Sequence, residues 1–246
     1  MSDSLVAMVT GARVGIGQAT AVAFGQAGLR VALTSRSDPG SAVREVEAAG
    51  GQAMGVALDL LDRPSIDAAV EKVISEWGGI DILVNNALCD QPGSQALIDE
   101  MDFAAFERMI VGEVVNTAYL TRQVLHGQAD RKVTVVNIGS AAADFVPRVP
   151  IGQGGYSYSY AANKSALHRL GGFLQLEYGE RMRAFTVNPG VVRTERLIER
   201  LGDLPGSVAP SVPADVVRWL ALDPESDALV GQYLHAQKVA KEKGWL

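Results

Sequence analysis

Short apolar runs alternate along the chain with longer stretches whose apolar positions recur every three or four residues. The short runs are Leu5–Thr10, Leu29–Ser35, Gln52–Leu58, Ile80–Val84, Lys132–Ile138, Met182–Val187 and Gly231–His235. Most lack alternating polar positions, which predicts strands buried on both faces. Between them, Gln18–Gln26, Ser41–Ala49, Ser65–Trp77, Phe103–Leu125, Tyr156–Tyr178, Glu195–Leu201 and Pro213–Leu222 read as helices. Gly28 stops the first, Gly50-Gly51 ends the second, and Pro64 sits near the first turn of the third. Regular strand–helix alternation predicts an α/β fold: a Rossmann-type doubly wound parallel sheet in three layers, with residues 1–246 forming one domain. Two stretches rich in Pro and Gly, Asp144–Gly155 and Gly202–Pro213, break the alternation and read as loops over a site.

Composition narrows the function classes. The chain has 246 residues, 48% of them hydrophobic and 20% charged, with a net charge of -6. There is no basic field to hold phosphate backbones, so nucleic acid is not an expected partner. Cys89 is the single cysteine, which excludes a disulfide framework and a multi-cysteine metal site. His126, His168 and His235 have no mutual spacing that suggests a metal site and are expected at surfaces or helix ends. No stretch approaches a membrane span, and the run Leu5–Val9 is too short for a secretory h-region. A cytoplasmic protein without a membrane partner is the expectation.

The first strand–helix junction reads Gly11-Ala12-Arg13-Val14-Gly15-Ile16-Gly17. Glycines there let backbone approach a pyrophosphate, and the helix N-terminus supplies free N–H groups and partial positive charge. A tight turn without a ligand is the competing reading. At the end of the second strand, where an acidic residue would bond the ribose 2′-hydroxyl of NAD, the chain has Ser35 and Arg36, with no carboxylate until Asp38. A hydroxyl and a bidentate cation suit a 2′-phosphate, so NADP(H) is expected over NAD(H). The competing reading makes Arg36 a solvated loop charge. Further on, Tyr160 and Lys164 lie four apart in a helical stretch, which puts both on one face. A fixed positive charge beside a phenol favours the phenolate, so such a pair can serve as a general acid/base on an alcohol or carbonyl.

Together these segments resemble the classical type of the short-chain dehydrogenase/reductase family over nearly the whole chain. Thr10–Gly17, with Gly11, Arg13, Gly15, Ile16 and Gly17, is similar to the family's cofactor motif. Asp59-Leu60 is similar to the pair that contacts adenine, and Asn85-Asn86-Ala87 to the start of an N-N-A-G turn. Ser140 follows the fifth strand, where the family places its catalytic serine, and Asn188-Pro189-Gly190 with Val192 and Thr194 is similar to the segment beside the nicotinamide. The resemblance implies an NADP(H)-dependent oxidoreductase acting on a small carbonyl/secondary alcohol pair, working as a carbonyl reductase. Tyr160 would be the acid/base, Lys164 would hold the nicotinamide ribose, and Ser140 would bond the substrate oxygen. It also implies a homodimer or homotetramer built on the two long helices, where Ala161, Ala162, Ala166, Gly171 and Gly172 permit close approach.

Four departures stand out. Leu88 replaces the last Gly of the N-N-A-G turn. The position of the family's catalytic Asn falls on Glu113, which is therefore included with Ser140, Tyr160 and Lys164, while Asn116 one turn later is the alternative. The interval between Ser140 and Tyr160 is longer than usual, and the extra residues of Val146–Tyr158 read as a substrate wall or as a tolerated surface insertion. Arg13 stands one place before the usual basic position of the glycine loop. Tyr156 and Tyr158 have no Lys four residues on and read as pocket or packing residues, and Cys89 as a small packed hydrophobe. Trp245-Leu246 is apolar and could dock on its own chain or on another subunit. Two other functions compete: a cofactor-binding sensor, favoured by Leu88 and Glu113, and a lyase- or dehalogenase-like offshoot, which the intact glycines and Lys164 argue against.

Overall fold

The computed structural model describes residues 4–128, 130–202 and 204–246. Seven parallel strands form one sheet: β1 (Val6–Thr10), β2 (Arg30–Ser35), β3 (Gln52–Ala57), β4 (Ile82–Asn85), β5 (Val133–Ile138), β6 (Met182–Asn188) and β7 (Tyr233–His235). Their order is β3-β2-β1-β4-β5-β6-β7, so the winding reverses between β1 and β4. The crevice beyond the carboxyl ends of those two strands is the place where such sheets bind ligands.

Successive side chains of a strand point to opposite faces, and both faces here are apolar. Ala7 and Val9 of β1 join Val31, Leu33 and Phe185 beneath α1 (Gly15–Gln26), α2 (Gly40–Ala48) and α8 (Ser211–Leu222), with Phe24, Val46 and Leu220 fully buried. Val6 and Met8 join Ala32, Leu83 and Val135 on the other face, under α3 (Arg63–Trp77), α5 (Thr117–His126) and α6 (Tyr158–Tyr178), which contribute Ile66, Val70, Leu120 and Leu174. Burying a side chain such as Phe24 contributes about 2–3 kcal/mol. The expected three-layer, doubly wound, single-sheet architecture is therefore the one formed.

The structure differs from the sequence reading at several elements. The stretch expected as one helix over 103–125 is α4 (Phe103–Ile110), a π-helical segment (Val111–Asn116) and then α5. The wider turn brings Gly112, Glu113 and Asn116 into the interior together. α6 begins at Tyr158 and not Tyr156, because Ser157 is its cap: its hydroxyl accepts from the Tyr160 N–H at 3.2 Å. α1 begins at Gly15, three residues before the predicted Gln18. A C-terminal helix, α9 (Ala236–Glu242), was not predicted, and Trp245 after it meets Trp219 edge to face at 6.3 Å. The terminal Trp thus docks on its own chain.

Candidate active site

β1 and β4 are joined at their carboxyl ends by one hydroxyl. Thr10 Oγ1 donates to the Val84 carbonyl at 3.1 Å and accepts from the N–H groups of Asn86 and Ala87 at 2.9 and 3.0 Å. Asn86 Nδ2 closes the junction by donating to the carbonyls of Thr10 and Gly11 at 2.8 and 3.2 Å. The glycine turn packs against this knot with no room for side chains. A Cβ on Gly17 would lie 2.5 Å from Asn86 Nδ2 and 2.6 Å from the Gly11 carbonyl, and one on Gly11, whose φ is +64°, would lie 2.8 Å from the Ala87 Cα. The cap residue of α1, Val14, offers no side-chain hydrogen bond to the first turn, so the N–H groups there remain for a ligand. The glycines let the turn pack directly on the β1–β4 junction, and first-turn N–H groups without a side-chain cap suit a pyrophosphate.

The other expected cofactor residues follow the carboxyl ends of β2, β3 and β6. Thr194 caps α7 (Glu195–Leu201), accepting from the Leu197 N–H at 3.3 Å, and its methyl stands 3.2 Å from where a Gly15 Cβ would be. Gly190 takes a positive φ of 77° beside Asn188, whose Oδ1 accepts its N–H at 2.9 Å, and Val192 is buried against Val208. Pro189 joins this segment to β6. Ser35 and Arg36 leave the end of β2, where Ser35 donates to the Ser37 carbonyl and Arg36 is exposed. Asp59 turns the chain after β3, its carboxylate accepting the Leu61 N–H at 2.9 Å, and Leu60 is buried. Arg13 and Ile16 lie on the glycine turn, with Arg13 exposed.

The chemical groups come from β5 and α6. Ser140 follows β5 in extended backbone, its Oγ accepting the Ala142 N–H at 3.2 Å. Tyr160 and Lys164 share a face of α6 as their spacing required, the ammonium lying 5.8 Å from the centre of the phenol ring. Lys164 is buried and donates toward the Ile138 carbonyl at 3.4 Å, at the end of β5. Glu113 reaches the same place from the π-helical segment. It is 0% exposed, with Oε1 accepting the Cys89 N–H at 2.9 Å and Oε2 3.6 Å from Lys164 Nζ. Burial pushes the Glu113 carboxyl above its ordinary value, while the Lys164 ammonium and the Cys89 N–H pull it back. Asn116, the alternative, is occupied elsewhere: its Nδ2 donates to the Leu60 carbonyl at 2.6 Å and its Oδ1 accepts from Arg63 at 3.1 Å.

Several neighbours carried no sequence signal. Tyr233, 93 residues from Ser140, donates to the Ser140 carbonyl at 2.9 Å and to Asp144 at 2.8 Å. Burial and the Asp144 carboxylate hold its phenol above the usual range. His168 stacks on Tyr233 at 3.9 Å and pairs with Asp144 at 3.3 Å, so this histidine braces the loop after Ser140. Cys89 packs under Gly112 with its thiol pushed up to about 11, first by burial and then by Glu113. In the inserted loop, Tyr156 donates to the Phe145 carbonyl, and its ring lies 6.4 Å from Phe145 and 6.2 Å from Tyr160. No cluster of His, Cys, Asp or Glu suited to a metal ion occurs among the described residues, and no helix there is long and apolar enough to cross a membrane.

The sequence profile described as short chain dehydrogenase matches residues 5–203. The chain is 30% identical to 3beta-hydroxysteroid dehydrogenase 1 of Eggerthella lenta, over 89% of this chain and 87% of that one. It is also 30% identical to a 3-oxoacyl-[acyl-carrier-protein] reductase of Thermotoga maritima, over 94% and 96%. A solved structure of an actinorhodin polyketide ketoreductase variant with NADPH superposes with a TM-score of 0.82 at 28% identity, covering 96% of both chains. With the parallel sheet, the glycine cradle at its switch point and the Tyr160–Lys164 face, these matches identify the chain as a member of the classical short-chain dehydrogenase/reductase family, oxidoreductases that use a nicotinamide cofactor on alcohol and carbonyl groups.

Proposed function

We propose that this protein reduces a small-molecule carbonyl to a secondary alcohol with NADP(H). The observation that carries the reading is the placement of Lys164, buried between the Ile138 carbonyl and the Tyr160 ring at the carboxyl edge of the sheet. In that position its charge faces Tyr160 and the buried Glu113, and no surface partner. Ser140 donates a hydrogen bond to the substrate oxygen and stabilises the charge that develops there. The Tyr160 hydroxyl gives that oxygen its proton. Lys164 supports the phenolate that remains and holds the nicotinamide ribose. The nicotinamide, when bound, supplies the hydride. Gly11, Arg13, Gly15, Ile16 and Gly17 hold the pyrophosphate, Asp59 and Leu60 the adenine, and Asn86, Ala87, Pro189, Gly190, Val192 and Thr194 the nicotinamide half. Ser35 and Arg36 take the 2′-phosphate, because a hydroxyl and a bidentate cation suit it and no carboxylate stands there.

Two further expectations belong to this reading. The protein works in the cytoplasm on a small molecule. It assembles as a homodimer or homotetramer, because Val111 and Val115 next to α4 and α5, and Phe173 and Leu176 on α6, leave apolar surface exposed on the two long helices. Steady-state assays with a carbonyl panel test the main claim. Wild type consumes NADPH, and Tyr160→Phe loses about a thousandfold in kcat/KM. Full activity of Tyr160→Phe on a true substrate overturns it. Arg36→Ala lowers kcat/KM for NADPH about tenfold relative to NADH, and a wild type that prefers NADH overturns the cofactor choice.

A further inference from the structure

Glu113 is a carboxyl buried beneath the candidate site, and the reaction described above does not use it. We propose that Glu113 is the fixed counter-ion and positioning residue of Lys164, a carboxylate built into the protein that sets how much positive charge Tyr160 feels. This rests on the reading of Tyr160 and Lys164 as the acid/base pair.

Four observations support it. Glu113 is 0% exposed and the Lys164 side chain 6%, so neither charge is screened by water. One carboxylate oxygen is pinned by the Cys89 N–H at 2.9 Å, which leaves the other aimed at Lys164 Nζ at 3.6 Å. That second oxygen has no hydrogen-bond partner among the described residues, so the ammonium is the group that answers it. The π-helical segment Val111–Asn116 places the side chain there, and Asn116 is bound elsewhere, to Leu60 and Arg63.

The groups that act on the Glu113 carboxyl are Lys164 from α6, Asp90 and the Cys89 thiol from the segment after β4, besides the Cys89 N–H, while Tyr156 and Tyr233 face Tyr160. Asp90 is itself paired with Arg196 from α7. Where the raised Glu113 carboxyl is ionised, it and the buried ammonium beside it are close to a neutral pair. That pair draws less negative charge onto the phenol than a bare ammonium would.

The test compares wild type with E113Q, which keeps an acceptor for the Cys89 N–H and removes the charge. The first readout is the pH profile of alcohol oxidation, where the phenolate is the base. The second is near-ultraviolet tyrosinate absorbance of each protein without cofactor, minus that of its Tyr160→Phe counterpart. In E113Q both transitions move to lower pH by about one unit. Transitions that superimpose on wild type in a folded E113Q overturn the proposal, because a merely structural role leaves them in place. Should E113Q not fold, E113N carries the same expectation. The absorbance titration needs no substrate, so it decides the counter-ion role even if no turnover is found. Absence of turnover, or indifference to Tyr160→Phe, counts instead against the function proposed above.

Discussion

The exits of β1 and β5 both lead into the site, yet they are built in opposite ways. After β1 the chain enters a glycine turn locked against Asn86 and Ala87, with the Thr10 hydroxyl satisfying three backbone groups at once. After β5 the chain passes Ser140 and enters a long loop in which Phe145 is exposed and Val146 is 87% exposed. In the function proposed above, one exit matches a ligand fragment common to every nicotinamide cofactor, and close backbone packing fixes its geometry. The other, in the same reading, admits a particular substrate, and it is held at separate points by side chains: Tyr233 on the Ser140 carbonyl and Asp144, and Tyr156 on the Phe145 carbonyl. The difference teaches that rigidity here follows what is being recognised and not the kind of element.

Breaking the tight exit has the largest effect. Gly17→Ala puts a Cβ within 2.6 Å of both Asn86 Nδ2 and the Gly11 carbonyl. The steric cost of about 3 kcal/mol, offset by about 1 kcal/mol of helix propensity, leaves a net loss of about 2 kcal/mol. NADP(H) binding by calorimetry weakens by about a hundredfold or more, because the cradle itself is displaced. A Gly17→Ala protein with native affinity breaks the contrast.

The next test probes packing at the neighbouring β4 exit. The Cys89 thiol is pushed up to about 11, so its thiolate is scarce at pH 8, and alkylation there runs about a hundredfold slower than for a free thiol. The rate rises with pH until about 11, since the folded protein holds the proton up to that point. Rapid labelling at pH 8, followed by mass spectrometry, contradicts tight packing. Asn86→Ala removes two donors from the knot and costs about 1–2 kcal/mol by urea unfolding, with a raised KM for cofactor. Val146→Ser in the open loop changes stability by less than about 0.5 kcal/mol. Any change it makes appears in the substrate KM, and a cofactor KM that moves instead counts against the division of labour.

The alternation of apolar runs with helical stretches predicted every strand and the doubly wound parallel sheet, while the strand order and its switch point came from the structure. Buried strands declare themselves because both faces must leave water, and the glycine turn does so because its packing on the β1–β4 junction admits no Cβ at Gly11 or Gly17. The Tyr160–Lys164 face was equally legible, since four residues is close to one helical turn. Other features were decided only in three dimensions. The π-helical segment that carries Glu113 inward sits in an otherwise regular helical pattern, and its wider turn is stabilised by partners on distant segments, the Cys89 N–H and Lys164. The bond from Tyr233 to Ser140 and the stacking of His168 join residues from separate elements. A local pattern records what a residue needs from water and from its own helix or strand. Which buried charge meets which is settled when the elements pack, because that pairing depends on distances the linear chain does not hold.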